Sequence, residues 1–192
     1  SGVMSGLTKN IRPLTVNAQG ELRSHVSGPC SAFGDFRCIE PTPLTQYGFV
    51  YGINSNYVNT STGLGGSTTS SNSMASASSS TASGSFGSIQ SKKFFKYREG
   101  LGGLIRITAI FGAGTAGNNQ LCGSGDISDG FFFGYNGTNF GILYRRAGID
   151  NWTYQANWTH DTMLGVGGSS NPSGTKLNPQ MGNIFQITVA YL

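Results

Sequence analysis

Charge is scarce in this chain of 192 residues. Asp, Glu, Lys and Arg together make up 10% of it, against roughly 25% in an ordinary soluble domain. Long amphipathic segments rich in Glu, Lys and Ala are also missing, which excludes helical bundles and coiled coils. Histidine occurs twice, as His25 and His160. His160 adjoins Asp161, and neighbours in a strand face opposite ways, which argues against a base and its orienting carboxylate. No G-x-S-x-G, H-E-x-x-H, phosphate-loop or paired-carboxylate pattern is present, so no enzymatic activity is expected. Cysteine is limited to Cys30, Cys38 and Cys122, an odd set without the C-x-x-C spacing of a metal site. Cys30 and Cys38 can close a small loop around Gly34; equally, all three fit thiols made in a reducing compartment. No apolar run approaches the roughly 18 to 20 residues needed to span a bilayer, and Ser1 to Asn10 lacks a signal-peptide core. The chain is therefore expected to be soluble or already processed, with no membrane insertion.

The net charge of +4, from 12 basic and 8 acidic residues, is scattered except at Lys92-Lys93-x-x-Lys96-x-Arg98. A nucleic-acid binder presents a denser basic footprint with interleaved aromatics. Edge strands carry Lys to block mispairing, so a solvated strand edge or a subunit contact is the better reading, and no nucleic-acid partner is expected. Asp126-x-x-Asp129 supplies two carboxylates, whereas calcium takes about 6 to 8 oxygen ligands. These aspartates are read as turn formers, and no metal or cofactor is expected.

What is abundant is glycine, 30 residues of it, together with Ser, Thr and Asn, a composition of short strands joined by many turns. The most explicit element runs from Gly125 to Arg146. Phe131-Phe132-Phe133 and Phe140-Gly141-Ile142-Leu143-Tyr144 flank Asn136-Gly137, the pair that a type I′ hairpin turn prefers at its centre. Residues 1–44 carry breakers (Pro13, Gly28-Pro29, Gly34, Pro41, Pro43) and scattered apolar side chains, and read as an extended arm lying on another surface, such as a neighbouring subunit. Tyr47, Phe49, Tyr51 and Ile53 alternate, which predicts a strand over Leu44–Ile53. The Ser/Gly/Ala-rich segment 59–88 has linker composition, yet from Met74 its Ala/Ser alternation favours small-residue strands. Ile105, Ile107, Ala109 and Phe111 share one strand face, leaving Arg106 in need of a partner or water. A short strand is expected over Gln120–Gly123. Ala147-Gly148-Ile149-Asp150 reads as a turn and Trp152–Trp158 as a strand, in which the even offset puts both tryptophans on one face. Gly165–Pro179 is a loop, and Asn183–Leu192 a closing strand with Phe185, Ile187 and Val189 on one side.

These elements predict an all-β protein: an antiparallel β-sandwich, jelly-roll-like or lectin-like, over residues 45–192 behind the arm of residues 1–44. Tyr135, Tyr144, Trp152, Tyr154 and Trp158 exceed what one sheet face needs. Such rings stack on sugars or anchor interfaces, or else fill the sandwich core. Candidate glycan-binding or interface residues are Tyr135, Trp152, Trp158, Arg145 and Arg146. The Asn136-Gly137 tip is expected to be scaffold and the Arg145-Arg146 end contact. Asn-x-Ser/Thr sequons at Asn59, Asn136, Asn151 and Asn157 are unsurprising in so Asn-, Ser- and Thr-rich a chain.

Several stretches together are distinctive: Ser91-Lys92-Lys93 to Tyr97-Arg98-Glu99-Gly100-x-Gly102; Ile105-Arg106-Ile107-Thr108-Ala109; Asp129-Gly130-Phe131-Phe132-Phe133-Gly134-Tyr135-Asn136-Gly137-Thr138-x-Phe140-Gly141-Ile142 with Arg145 following; and Leu177-Asn178-Pro179-x-x-Gly182-Asn183-Ile184-Phe185-Gln186-Ile187. Over about residues 30–192 this pattern resembles a group of virion-associated proteins of large DNA viruses and related environmental viral sequences. Relatives of that kind usually continue past the closing strand, often through Gly-Phe-Gly, so the chain is expected to be shortened at its C-terminus. The resemblance implies a β-rich structural or surface protein of a virus particle and brings no catalytic or binding residue with it. The expected function is thus a non-enzymatic virion structural or fibre-like surface protein. It would assemble through its arm and sheet edges with copies of itself and other virion proteins, located in the virion or otherwise secreted. The alternative is a sandwich module that binds a host-surface glycan or receptor through exposed aromatics.

Overall fold

The computed structural model describes residues 43–95, 102–165 and 167–189. The chain divides after Glu40 into two units, and the described residues all belong to the second, Pro41–Leu192. Residues 1–42 of the expected arm, with His25, Cys30 and Cys38, lie outside the described residues, as do Lys96, Arg98 and the end of the closing strand.

Among the described residues there is no α-helix, and every strand pair is antiparallel. The fold is all-β and sandwich-like, as its composition predicts. Its strands are β1 (Val58–Gly63), β2 (Ser67–Ser71), β3 (Met74–Ser78), β4 (Phe86–Ser91), β5 (Gly103–Ala109), β6 (Asn119–Gly125), β7 (Gly130–Asn136), β8 (Asn139–Arg146), β9 (Ile149–Tyr154) and β10 (Asn183–Val189). β6 to β9 form a four-stranded meander; β5 pairs with β10, β1 with β4, and β2 with β3.

The main apolar core lies between the meander and the β5/β10 pair. Phe111, Phe140 and Phe185 are buried there, with Ala109, Cys122, Phe133, Tyr135, Trp158 and Leu177 packed around them. The rings meet mostly edge to face: Phe111 has centroids 5.4 Å from Phe140 and 5.8 Å from Phe185, both near perpendicular, the arrangement that ring quadrupoles favour. Phe185 sits 4.8 Å from Phe133, joining β10 to the meander. On β5 the predicted division of faces holds: Ile105 and Ile107 lie opposite Ile187 and Phe185. Arg106, on the other face, donates from Nε to Gln186 Oε1 at 3.0 Å, which answers its need for a partner.

The Ser-rich segment folds into two pairs of strands that begin at Val58, earlier than the alternation from Met74 indicates. Small side chains are what let these layers approach. A Cβ at Gly87 would meet the Ser67 carbonyl oxygen at 2.5 Å and the Ser78 backbone nitrogen at 2.9 Å, so the β2/β3 pair rests against β4 with backbone in direct contact.

Three local expectations are corrected. Leu44–Ile53 is not a strand: the Gly52 N–H donates to Phe49 O at 3.0 Å, closing a turn with Gly52 at φ +93°, and Tyr51 is fully exposed at 102%. Alternation without a partner strand does not suffice. The central hairpin turns at Gly137-Thr138, since Asn136 pairs with Asn139. Gly137 is at φ +60° and Thr138 is not at positive φ, the type II′ pattern with Gly first. The shift changes the partner of Tyr135 from Thr138 to Phe140; being a shift of two residues, it leaves every side chain on its face. The type I′ pattern appears instead at Ala147-Gly148, at φ +50° and +76°, and Ile149 and Asp150 already belong to β9. Finally, Trp152–Trp158 is not one strand. β9 stops at Tyr154 and a 3-10 turn spans Gln155–Asn157, so the even-offset argument fails and the two tryptophans part company.

Candidate functional site: the outer face of the meander

Register assigns each side chain of the meander to a face, because residues directly opposite in a ladder point the same way. Gln120, Cys122, Phe131, Phe133, Tyr135, Phe140, Ile142 and Tyr144 fall on the core side. The other side carries three successive bands. At the hairpin end stand Asn119, Asn136 and Asn139; in the middle, Leu121, Phe132, Leu143, Trp152 and Tyr154 around Gly123, Gly134 and Gly141; at the far end, Arg145 and Asp150.

The middle band is organised by one long reach across the sheet. Tyr154 stands on β9 opposite Gly141 of β8, yet its hydroxyl accepts a hydrogen bond from Asn136 Nδ2 on β7 at 2.9 Å. To reach two strands over, the ring must lie across β8, where Gly141 has no side chain in the way. Trp152 stacks with it, 6.1 Å between centroids and 14° between planes. Leu143, directly opposite Trp152, is 0% exposed, although it faces away from the main core. At the far end Asp150 takes two hydrogen bonds from Arg145, Nε to Oδ1 at 2.6 Å and Nη2 to Oδ2 at 3.1 Å. The Arg145 guanidinium also lies 5.6 Å from the centroid of the Phe132 ring, within cation–π range. The arginine hydrogen bond holds the Asp150 carboxyl below its ordinary range.

The loops beneath the ion pair are tied together. Asp126 Oδ1 accepts from the N–H groups of Ser128 and Asp129, at 2.7 and 2.8 Å, and those bonds, that of Asp129 first, lower its pKa. Asp129 Oδ1 accepts from Ala147 N at 3.1 Å. Asp126 thus serves its own turn, the role read for it from sequence, whereas Asp129 ties that turn to the Ala147-Gly148 turn between β8 and β9. Asp161 is bound in the same fashion by the N–H groups of Met163 and Ser173, and among the described residues no three His, Cys, Asp or Glu side chains gather as a metal-binding group. Two open depressions at Thr45–Val58 and Lys92-Lys93 are lined by no His, Asp or Glu. Lys93 there donates from Nζ to Leu44 O at 2.8 Å.

The five candidate residues separate. Tyr135 and Trp158 pack into the core, Trp158 with its ring centroid 6.4 Å from Phe140 and its Nε1–H donating to Thr153 O at 3.2 Å. Burial pushes the Tyr135 hydroxyl up from its ordinary pKa. Trp152 and Arg145 stand together on the outer face, whereas Arg146, opposite Ile149, is exposed on the other. Phe132 and Asp150, not among the sequence candidates, complete the outer group. The signal for Asp150 was its spacing of two from Trp152 and four from Tyr154 in one strand. For Phe132 there was none, because three consecutive phenylalanines do not reveal which one points outward.

No helix among the described residues is long and apolar enough to cross a membrane. Set against protein-family models, curated proteins and solved structures, the chain matches none of them.

Proposed function

We propose that this chain is a non-enzymatic structural protein that works by packing against copies of itself. One observation carries the reading. Among the described residues only five hydrophobic side chains are buried, Val58, Phe111, Phe140, Leu143 and Phe185, while 17 large ones are exposed. Isolated exposed apolar residues are ordinary, but contiguous patches mark contact surfaces. On the outer face of the β5/β10 layer, Ile184 (74% exposed) pairs with Thr108, and Ile110 and Met181, just outside the ends of the paired strands, are exposed as well. Two-stranded sheets are marginal alone in water, and among the described residues three of the four sheets have only two strands. Their free edges and apolar patches are the surfaces that β-augmentation and symmetric association use.

The setting, a virus particle, rests on the resemblance carried by Asp129–Ile142 and its neighbouring stretches; other virion proteins are then further partners. Size-exclusion chromatography with light scattering, followed by electron microscopy of the peak, tests the proposal. A defined oligomer, shell or fibre is the expected result, with Ile184→Arg shifting it toward monomer. A monodisperse monomer at high concentration overturns it.

A further inference from the structure

The outer face of the meander carries a second inference, independent of how copies assemble. We propose that Trp152, Tyr154, Phe132, Arg145 and Asp150 form a binding platform for a neutral carbohydrate, with linked pyranose rings as the ligand class.

Three features select that chemistry. Trp152 and Tyr154 stack nearly parallel, 6.1 Å between centroids and 14° between planes, and give the outer face of β9 a paired aromatic wall against which the apolar face of a pyranose ring can pack. Sugars offer apolar C–H faces to such rings and hydroxyls around their edges. The aromatic strip ends in polar groups on both sides: the amides of Asn119, Asn136 and Asn139 at one end and the Arg145–Asp150 pair at the other. Planar amide, guanidinium and carboxylate groups suit bidentate bonding to neighbouring hydroxyls, whereas the centre of a protein–protein contact is depleted of charge. Third, the face is electrically balanced. Among the described residues Arg145 is its single cation and is matched by Asp150 at 2.6 Å, so it lacks the excess positive charge that phosphates, sulfates or sialic acids demand.

The platform is also built in advance. The Asn136 bond anchors the Tyr154 hydroxyl, Asp150 and Phe132 hold Arg145 from two directions, and Leu143, opposite Trp152, is fully buried. Arg145 Nη1 also donates to the Asp126 carbonyl at 3.3 Å. A ligand therefore meets ordered groups and need not order them, which lowers the entropic cost of a weak contact. In an assembly of many copies, weak sites act together.

Trp152 and Trp158 are the only two tryptophans, and Trp158 is a core residue, so a Trp158→Phe chain reports on Trp152 alone. Its fluorescence is titrated with lactose, cellotriose, mannotriose and chitotriose, and the unsubstituted chain is applied to a glycan array. The expected result is a saturable change with at least one neutral oligosaccharide. Arg145→Lys is expected to weaken it about tenfold, a loss of two well-placed hydrogen bonds, and Trp152→Ala to abolish array binding while circular dichroism and oligomeric state stay unchanged. Three results overturn the proposal: no neutral glycan responding in either format; retention only of sulfated or sialylated glycans, lost at high salt; or a Trp152→Ala chain whose oligomer falls apart, which makes the face a subunit contact. Failure of the assembly reading is registered separately, by the light scattering of the unsubstituted chain.

Discussion

Asp126, Asp150 and Asp161 owe their low pKa values to different donors: backbone N–H groups of Asp129 and Ser128, the guanidinium of Arg145, and Ser173 with Met163. Unfolding releases all three, and the freed carboxylates take up protons near an ordinary value of about 3.9. The unfolded chain then binds more protons than the folded one, so stability is present above that pH and is lost as pH falls toward the folded-state values. Melting temperature is expected to stay level between about pH 7 and 5 and to drop below about pH 4, with a shallower drop in Asp161→Asn. Thermal melts across that range check it, and an Asp161→Asn curve parallel to the parent's contradicts it. The Asn136–Tyr154 hydrogen bond belongs to the same scale. Tyr154→Phe is expected to lose about 1 kcal/mol, read by urea unfolding, with the chain still folded. Cys122 is half-buried, and burial pushes its thiol up. It is expected to react slowly with thiol reagents in the native state and quickly once unfolded, a contrast that a colorimetric thiol assay reads directly.

At the scale of elements, the meander depends on a waist of glycine. Gly134 and Gly141 face each other across β7 and β8, both buried. A Cβ on Gly141 would meet Thr153 O at 2.6 Å, and one on Gly134 would run into Gln120 O. These obstacles are backbone atoms, which cannot swing aside. Gly141→Ala is expected to lose about 1–3 kcal/mol through overpacking and to lift Tyr154 off the sheet, seen as a lower urea midpoint and altered near-ultraviolet dichroism. Much of this level was legible in the sequence. The aromatic runs and the alternation in Ile105–Ala109 and Phe185–Val189 appear where periodicity placed them, while the small-residue strands expected from Met74 begin already at Val58. What escaped was what periodicity does not contain. Leu44–Ile53 alternates but finds no partner strand among the described residues. Asn-Gly signals a turn centre, yet pairing of Tyr135 with Phe140 on the core side accompanies a turn one residue later. Trp152 and Trp158 share an even offset that the 3-10 turn cancels. The site was half visible for the same reason: composition revealed an excess of aromatics, and only register could sort Trp152 from Trp158.

At the scale of the molecule, the imbalance between buried and exposed apolar side chains among the described residues is the dominant physical fact. If copies associate as proposed, exposed apolar side chains are covered by neighbours and the apparent stability depends on concentration. Melting temperature is expected to rise as the protein is concentrated. Dilution favours the separated chains, so a value that stays constant over about a hundredfold range of concentration speaks against self-association.

The β5/β10 pairing has a consequence in time as well as in space. The meander is assembled from neighbours in sequence, with turns of two to four residues, whereas β5 and β10 meet only after everything between Ala109 and Asn183 has been laid down. Local hairpins close quickly and long loops slowly, so the β10 strap is expected to dock last and open first. Amide exchange pulse-labelling during refolding would show β7 and β8 protected before β10. A strand that arrives late is also one that a neighbouring copy can supply. If copies associate as proposed, the order of folding leaves an interval in which β5 of one chain could receive β10 of another, and assembly would then be part of the folding reaction itself.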